Sequence, residues 1–154
     1  MKREQLAAQF DLLSRLLKIS RDNPFKIRSY EFAARTVRNR LPEGELTERE
    51  IHDLSRLKGI GKAITEKSLE FLREGKISKI SELGKAMPPA ILELALDGTL
   101  DPETIAFIWK DAGLDESESI LAFLKKQRED LKLSREELAR LEERLKRGPC
   151  GPLE

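Results

Sequence analysis

The 154 residues contain one cysteine, one histidine, one tryptophan and one tyrosine, and aromatics make up only 5%. Cys150, in Gly148-Pro149-Cys150-Gly151-Pro152, excludes a disulfide framework and a cysteine-based zinc site. With His52 as the only histidine, a histidine metal cluster is excluded too. A thiol or Ser-His-Asp hydrolase lacks support, because a single base is available and no nucleophile elbow is present. No apolar run approaches the roughly 18 residues of a membrane span. The opening Met1-Lys2-Arg3-Glu4-Gln5 lacks the apolar core of a secretory signal. The expected address is cytoplasmic, nucleoid-associated in a prokaryote, with no membrane partner.

Charge is plentiful, at 37% of residues, and almost balanced at a net +1. The balance hides an asymmetry. Residues 1–40 carry ten Lys/Arg against four Asp/Glu, residues 41–87 nine of each, and residues 88–154 ten against fifteen. A basic front and an acidic back suggest that the first half meets a polyanion. Two solvated helical surfaces without a partner are the plainer alternative.

Apolar spacing is helical throughout. Leu6, Phe10, Leu13, Leu16 and Leu17 form one stripe, and Asp22-Asn23-Pro24 ends that helix and opens the next. A second stripe runs through Ile27, Tyr30, Ala33, Ala34, Val37 and Leu41. Thr47-Glu48-Arg49-Glu50 reads as a capping box for a third helix reaching about Leu57. A fourth spans Lys62 to Glu74, stopped by Gly75, and a short fifth lies near Ser78–Ala86. Pro88-Pro89 and Asp101-Pro102 open two more, closed by Asp97-Gly98 and near Gly113. Helices at Ser117–Leu131 and from a second capping box, Ser134-Arg135-Glu136-Glu137, to Gly148 complete the chain. Strand signals are nearly absent. The expected fold is all-α: a compact helical bundle with a helical hairpin over residues 1–87, an acidic helical subdomain over 88–148, and a tail, 149–154.

The stretch Leu54-Ser55-Arg56-Leu57-Lys58-Gly59-Ile60-Gly61-Lys62-Ala63-Ile64-Thr65-Glu66-Lys67 joins two helices through a very short turn. Two glycines let the backbone turn sharply while Ile60 plugs the gap. The first N–H groups of the following helix are left unpaired, and with the helix dipole they form an anion site suited to a backbone phosphate. Lys58 and Lys62 add charge, and binding would be sequence-independent and salt-sensitive. A plain structural turn is the alternative.

The frame L-x-x-L-x-G-I-G-x-x-I-x-x-K resembles the helix-hairpin-helix motif of DNA-binding proteins. Taken with Asn23-Pro24-Phe25-Lys26-Ile27-Arg28-Ser29-Tyr30-Glu31-Phe32-Ala33-Ala34-Arg35 and Gly75-Lys76, about residues 5–87 resemble the N-terminal lyase domain of the family X DNA polymerases. Leu100-Asp101-Pro102 and the residues to Leu114 resemble that family's second hairpin in degenerate form: Asp101 and Glu103 stand where a phosphate-holding turn would be.

The resemblance implies site residues. Lys67 matches the lysine that forms a Schiff base with C1′ of an abasic sugar, and Glu66 matches an acidic position beside it. Lys26 and Tyr30 match residues that hold a 5′-phosphate, and Lys76 and Lys79 match basic positions along the DNA path. The hairpin carbonyls of Leu57, Gly59 or Gly61 would hold K+ or Na+, with no other cofactor implied. One departure is Ala63, where the family has a lysine. From the residues alone, Lys67 lies about 60° from the stripe of Ile64, Ser68, Phe71 and Leu72. Partial desolvation and nearby cations there would favour the free amine that attack requires. A solvated lysine paired with Glu70 is the alternative. Arg28, Arg35 and Arg38 offer either a phosphate-facing stripe or a solvated face.

No Asp-x-Asp is present and no strand follows to carry one, so the paired aspartates of nucleotidyl transfer are missing from these residues. The acidic last helix leans toward a stand-alone chain over a fragment. The expected function is non-sequence-specific binding of gapped, nicked or abasic DNA, in repair and alongside a repair-protein partner. Two readings compete: a 5′-deoxyribose-phosphate or AP lyase acting through Lys67, and a protein-interaction scaffold with a vestigial hairpin.

Overall fold

The computed structural model describes residues 1–147. Helices dominate them, and the one strand-like pairing is an isolated bridge between Lys2 and Glu45. The all-α expectation holds. Contacts divide the chain into two compact units, one ending at Ser81 and one starting at Glu82. The expected boundary is 87. The division falls inside a continuous helix, so no proline, glycine or change of composition marks it.

In the first unit, α1 (Arg3–Ile19) and α2 (Pro24–Arg40) pack along their lengths. They are antiparallel, since Arg38 reaches Glu4 and Asp11 while Lys18 meets Glu31 at 2.9 Å. Leu6, Phe10, Leu13 and Leu16 of α1 are fully buried, each stabilising the fold by about 2 kcal/mol through its apolar area. The Phe10 and Tyr30 rings stack, 6.0 Å between centroids. The link between them turns through Arg21 at φ +57. Asn23 caps α2, its side chain accepting from the Phe25 N–H at 2.8 Å, with Pro24 at the first helical position.

The third helix, α3 (Glu48–Leu54), stops three residues short of the expected Leu57. Its tail tightens into i to i+3 bonds, Leu57 N–H to Leu54 carbonyl at 3.0 Å, as the turn begins. The capping box expected at Thr47 is not formed: the Thr47 hydroxyl donates to the Glu50 carboxylate instead of accepting a backbone N–H. The α4 helix (Lys62–Glu74) closes on Gly75 in the left-handed conformation, φ +73. Next, α5 (Ser78–Lys85) starts with the Glu70 carboxylate accepting from the Ser78 N–H and hydroxyl.

In the second unit, α6 (Pro89–Asp97) ends at left-handed Gly98, as the Asp-Gly signal implied. Asp101 caps α7 (Pro102–Ala106), accepting from Thr104 N–H at 2.7 Å. The helix then widens into a π-turn, Phe107–Asp111. Trp109 is half-buried in that turn, with Lys110 Nζ 4.4 Å from its ring centroid. The α8 helix (Ser117–Lys126) is shorter than expected, giving way to turns that end at Lys132 with φ +57. At the start of α9 (Arg135–Arg147) the expected capping box is complete. Ser134 N–H donates to Glu137 at 2.9 Å and Glu137 N–H to Ser134 Oγ at 3.0 Å. Two carboxylates of α6 receive arginines from α9, Glu93 with Arg144 and Asp97 with Arg140. The expected stop at Gly148, the tail and Cys150 lie outside the described residues.

Candidate nucleic-acid interface

The turn between α3 and α4 is built on unequal glycines. Gly59 takes φ +94, which disfavours any residue with a Cβ. A Cβ there would also lie 2.6 Å from Phe32 Cε2 on α2. Gly61 is extended, φ −91 and ψ −176, and a Cβ at this position would meet nothing within 4 Å. Ile60 between them is 7% exposed and fills the gap as expected. No side chain caps α4, so the first-turn N–H groups at Lys62 and Ala63, both exposed, remain for solvent or a ligand. They lie at the positive end of the helix dipole.

These groups border an open groove of about 370 Å³. Its α2 wall is Asn23, Phe25, Lys26, Ser29 and Tyr30, and its hairpin wall is Gly59, Gly61, Ala63 and Ile64. Phe25 is 73% exposed, with the Arg28 guanidinium 4.7 Å from its ring centroid. Lys26 Nζ lies 3.6 Å from Asp22. The Asn23 N–H, then Lys26 and the more distant Lys79, hold the Asp22 carboxyl below its usual range. Lys79 of α5 is therefore brought to the start of α2. Lys67 is half-buried on α4, its Nζ 5.6 Å from the Tyr30 ring centroid. Tyr30 is itself buried, stacked on Phe10, and lines the groove.

A family model described as a helix-hairpin-helix domain matches residues 1–77. The chain belongs to the helix-hairpin-helix domain family. It is also 27% identical, over 120 residues, to the DNA polymerase/3'-5' exonuclease PolX of Bacillus subtilis (strain 168). That match covers 78% of this chain and 20% of the relative, so the chain spans about a fifth of that protein's length. The expected likeness to the N-terminal helix-hairpin-helix domain of the family X polymerases holds.

Within this helix-hairpin-helix domain the expected site residues divide. Lys26, Tyr30, Gly59 and Gly61 line one groove, and Lys58 and Lys62 stand exposed around its turn. Arg35 is exposed further along α2 and Lys76 follows Gly75, neither lining the groove. Arg38 fits neither a phosphate-facing stripe nor a plainly solvated face. Its guanidinium bonds Glu4 at 2.7 Å and Asp11 at 2.8 Å, so it ties α1 to α2 and is not offered to phosphate. Hydrogen bonds to Glu4 and Asp11 push its pKa further up. Glu66 is exposed and lies 3.8 Å from Lys62, on the neighbouring face to Lys67. Glu70, the alternative partner for Lys67, holds Ser78.

Phe25 and Phe32 were missed. Phe25 falls off the Ile27–Tyr30 stripe, which is the signal that would have found it. Phe32 acts only through Gly59, a contact that spacing does not reveal. Of the carbonyls expected to hold K+ or Na+, those of Gly61 and Leu57 already accept hydrogen bonds. The Gly61 carbonyl accepts from both the N–H and the Oγ of Thr65, at 3.2 and 3.1 Å, and the Leu57 carbonyl accepts from Ile60 N–H at 3.1 Å. Gly61 thus has both lone pairs engaged. Among the described residues, no helix is long and apolar enough to cross a membrane.

Proposed function

We propose that the chain binds DNA without sequence preference, its hairpin holding a backbone phosphate and its groove receiving an unpaired nucleotide or sugar at a gap, nick or abasic site, in a repair setting. The observation that carries this reading is the shared groove. A free helix N-terminus, Lys26 and exposed Phe25 border one cavity of about 370 Å³. Backbone N–H groups and lysines read phosphate and carry no base information. An exposed ring offers a face to any base. The Bacillus subtilis relative is a DNA polymerase/3'-5' exonuclease by name, which agrees with a DNA-binding role here.

A second reading, lyase chemistry, is favoured by one feature: Lys67 is half-buried with its Nζ over the ring of groove-lining Tyr30. The neutral amine would add to the C1′ aldehyde of an abasic sugar, take up a proton from solvent and expel water to give a protonated imine. Loss of a C2′ proton to a base would then drive out the 3′ phosphate, and water would hydrolyse the imine and restore the amine. Glu66, exposed and near Lys62, is a candidate for that base only after the Lys62 contact is exchanged.

Borohydride cross-linking to a 5′-incised abasic duplex, run beside Lys67→Ala and a binding titration in rising salt, tests both. Binding that weakens with salt, without an adduct, supports the DNA-binding reading. An adduct lost in Lys67→Ala adds the lyase. Absence of binding at low salt overturns both and leaves the scaffold.

A further inference from the structure

The second unit carries an acidic stretch beside an open groove. Residues 101–118 hold six acidic side chains, Asp101, Glu103, Asp111, Asp115, Glu116 and Glu118, against one base, Lys110. That base lies over the Trp109 ring. Within this run Phe107 is 48% exposed. Its ring sits 6.3 Å from that of Phe123, tilted by 42°. The two rings and Leu131 give an apolar lining to an open groove of about 410 Å³, with Asp101, Glu103 and Gln127 also on it. Glu103, Phe107 and Asp111 are all exposed and follow one another at four-residue intervals, so a ring stands between acids along the helix.

The backbone departs from α-helix at this place. Ala112 N–H reaches back five residues to the Phe107 carbonyl at 2.8 Å. Such π-turns are rare and recur where a surface is used. An exposed phenylalanine beside a groove adds little to folding, because its outer face still meets water. The charged side chains lining the groove, Asp101 and Glu103, are both carboxylates, which repel phosphate, so neither DNA nor an anionic lipid surface suits it.

We propose that this face docks a segment of a partner protein that presents one large apolar side chain between lysines or arginines. The apolar side chain enters the groove against Phe107, Phe123 and Leu131. The flanking cations meet Glu103 and Asp101. Charge decides the occupant: a groove whose lining is apolar apart from polar residues and the two carboxylates of Asp101 and Glu103 selects a basic, apolar-anchored peptide over an acidic one. This site is separate from the hairpin groove and does not depend on DNA binding.

The chain's single tryptophan, Trp109, lies in the same π-turn two residues from Phe107, and the heat of binding gives a second readout that does not depend on it. The full chain is titrated with a short tryptophan-free synthetic peptide, one phenylalanine flanked on both sides by lysine and arginine, while Trp109 emission is followed. Controls are the same peptide with serine for phenylalanine, and an acidic peptide with the phenylalanine kept. The proposal expects saturable binding of the first peptide alone. It expects roughly tenfold weaker binding in Phe107→Ser, as for the loss of an anchor. Glu103→Lys, a second surface change, should weaken binding and flatten its salt dependence, with helical content retained in both variants. Absence of saturable binding overturns the proposal, as does equal binding of the serine peptide or undiminished binding by Phe107→Ser. Concentration-dependent self-association of the wild type that Phe107→Ser abolishes would overturn it too, assigning the face to a second copy.

Discussion

Gly59 and Phe32 meet so closely that the hairpin has no room for a side chain: a Cβ on Gly59 would stand 2.6 Å from Phe32 Cε2. The contact sets the tip of the α3–α4 turn against α2, which carries the other wall of the groove. Phe32 is thus a support of the hairpin rather than a part of the binding surface.

Gly59→Ala should therefore destabilise the first unit by about 2 kcal/mol, combining left-handed strain with the clash. Gly61→Ala should change stability by less than about 1 kcal/mol, since its backbone is extended and its surroundings open. Its added methyl would nevertheless stand where a phosphate approaches the first turn of α4, so DNA affinity should fall while the melting midpoint stays. Urea unfolding and a DNA titration on the two variants check this. Equal loss of stability would show that the glycines are equivalent after all.

Much of this was legible from residue spacing. The i, i+3, i+4 stripes located α1 and α2 because the helices bury a single face each. Gly75 and Gly98 marked the stops of α4 and α6 through the left-handed conformation that glycine favours. Other features were not legible because they arise between distant segments. Arg38 looked like a member of a basic stripe, but α1 brings Glu4 and Asp11 against it. Thr47 had the right spacing for a capping box, yet its hydroxyl found the Glu50 carboxylate first. The groove itself depends on how α2 lies beside the hairpin, which no local pattern encodes.

Phe25→Ala should weaken binding to gapped or single-stranded DNA by about 1–3 kcal/mol, the range for loss of one base stacked on a ring. Stability should hardly change, because the side chain is 73% exposed. The salt dependence should also be unchanged, since no phosphate contact is lost. Anisotropy titrations at two salt concentrations would test this, and an unaltered affinity would remove Phe25 from the interface.

Lys62→Ala and Lys26→Ala should act differently, weakening binding equally across sequences and lowering the slope of log affinity against log salt by about one each. Both lysines face carboxylates in the free protein, Glu66 at 3.8 Å and Asp22 at 3.6 Å. Exposed pairs of this kind contribute little and exchange readily for phosphate. Glu66→Gln should therefore tighten binding slightly by releasing Lys62. If neither lysine alters the slope, the phosphate lies elsewhere on the domain.

The second unit should show its own acid sensitivity. Burial pushes the Asp97 carboxyl up, but hydrogen bonds from Arg140 and Thr99 outweigh it and leave the group below its ordinary value. A carboxyl held low in the folded state stabilises that state above its unfolded pKa of about 3.9, and the contribution fades as pH falls through the folded value. Asp97→Asn should reduce stability at neutral pH by about 1 kcal/mol. The variant should then lose less than the wild type between neutral pH and strong acid, because part of what acid removes is already gone. Urea unfolding followed by Trp109 fluorescence reports on this unit specifically, as the single tryptophan lies within it. Identical acid limbs for the two proteins would show that Asp97 is not linked to folding, and the clamp between α6 and α9 would then rest on Glu93 and Arg144.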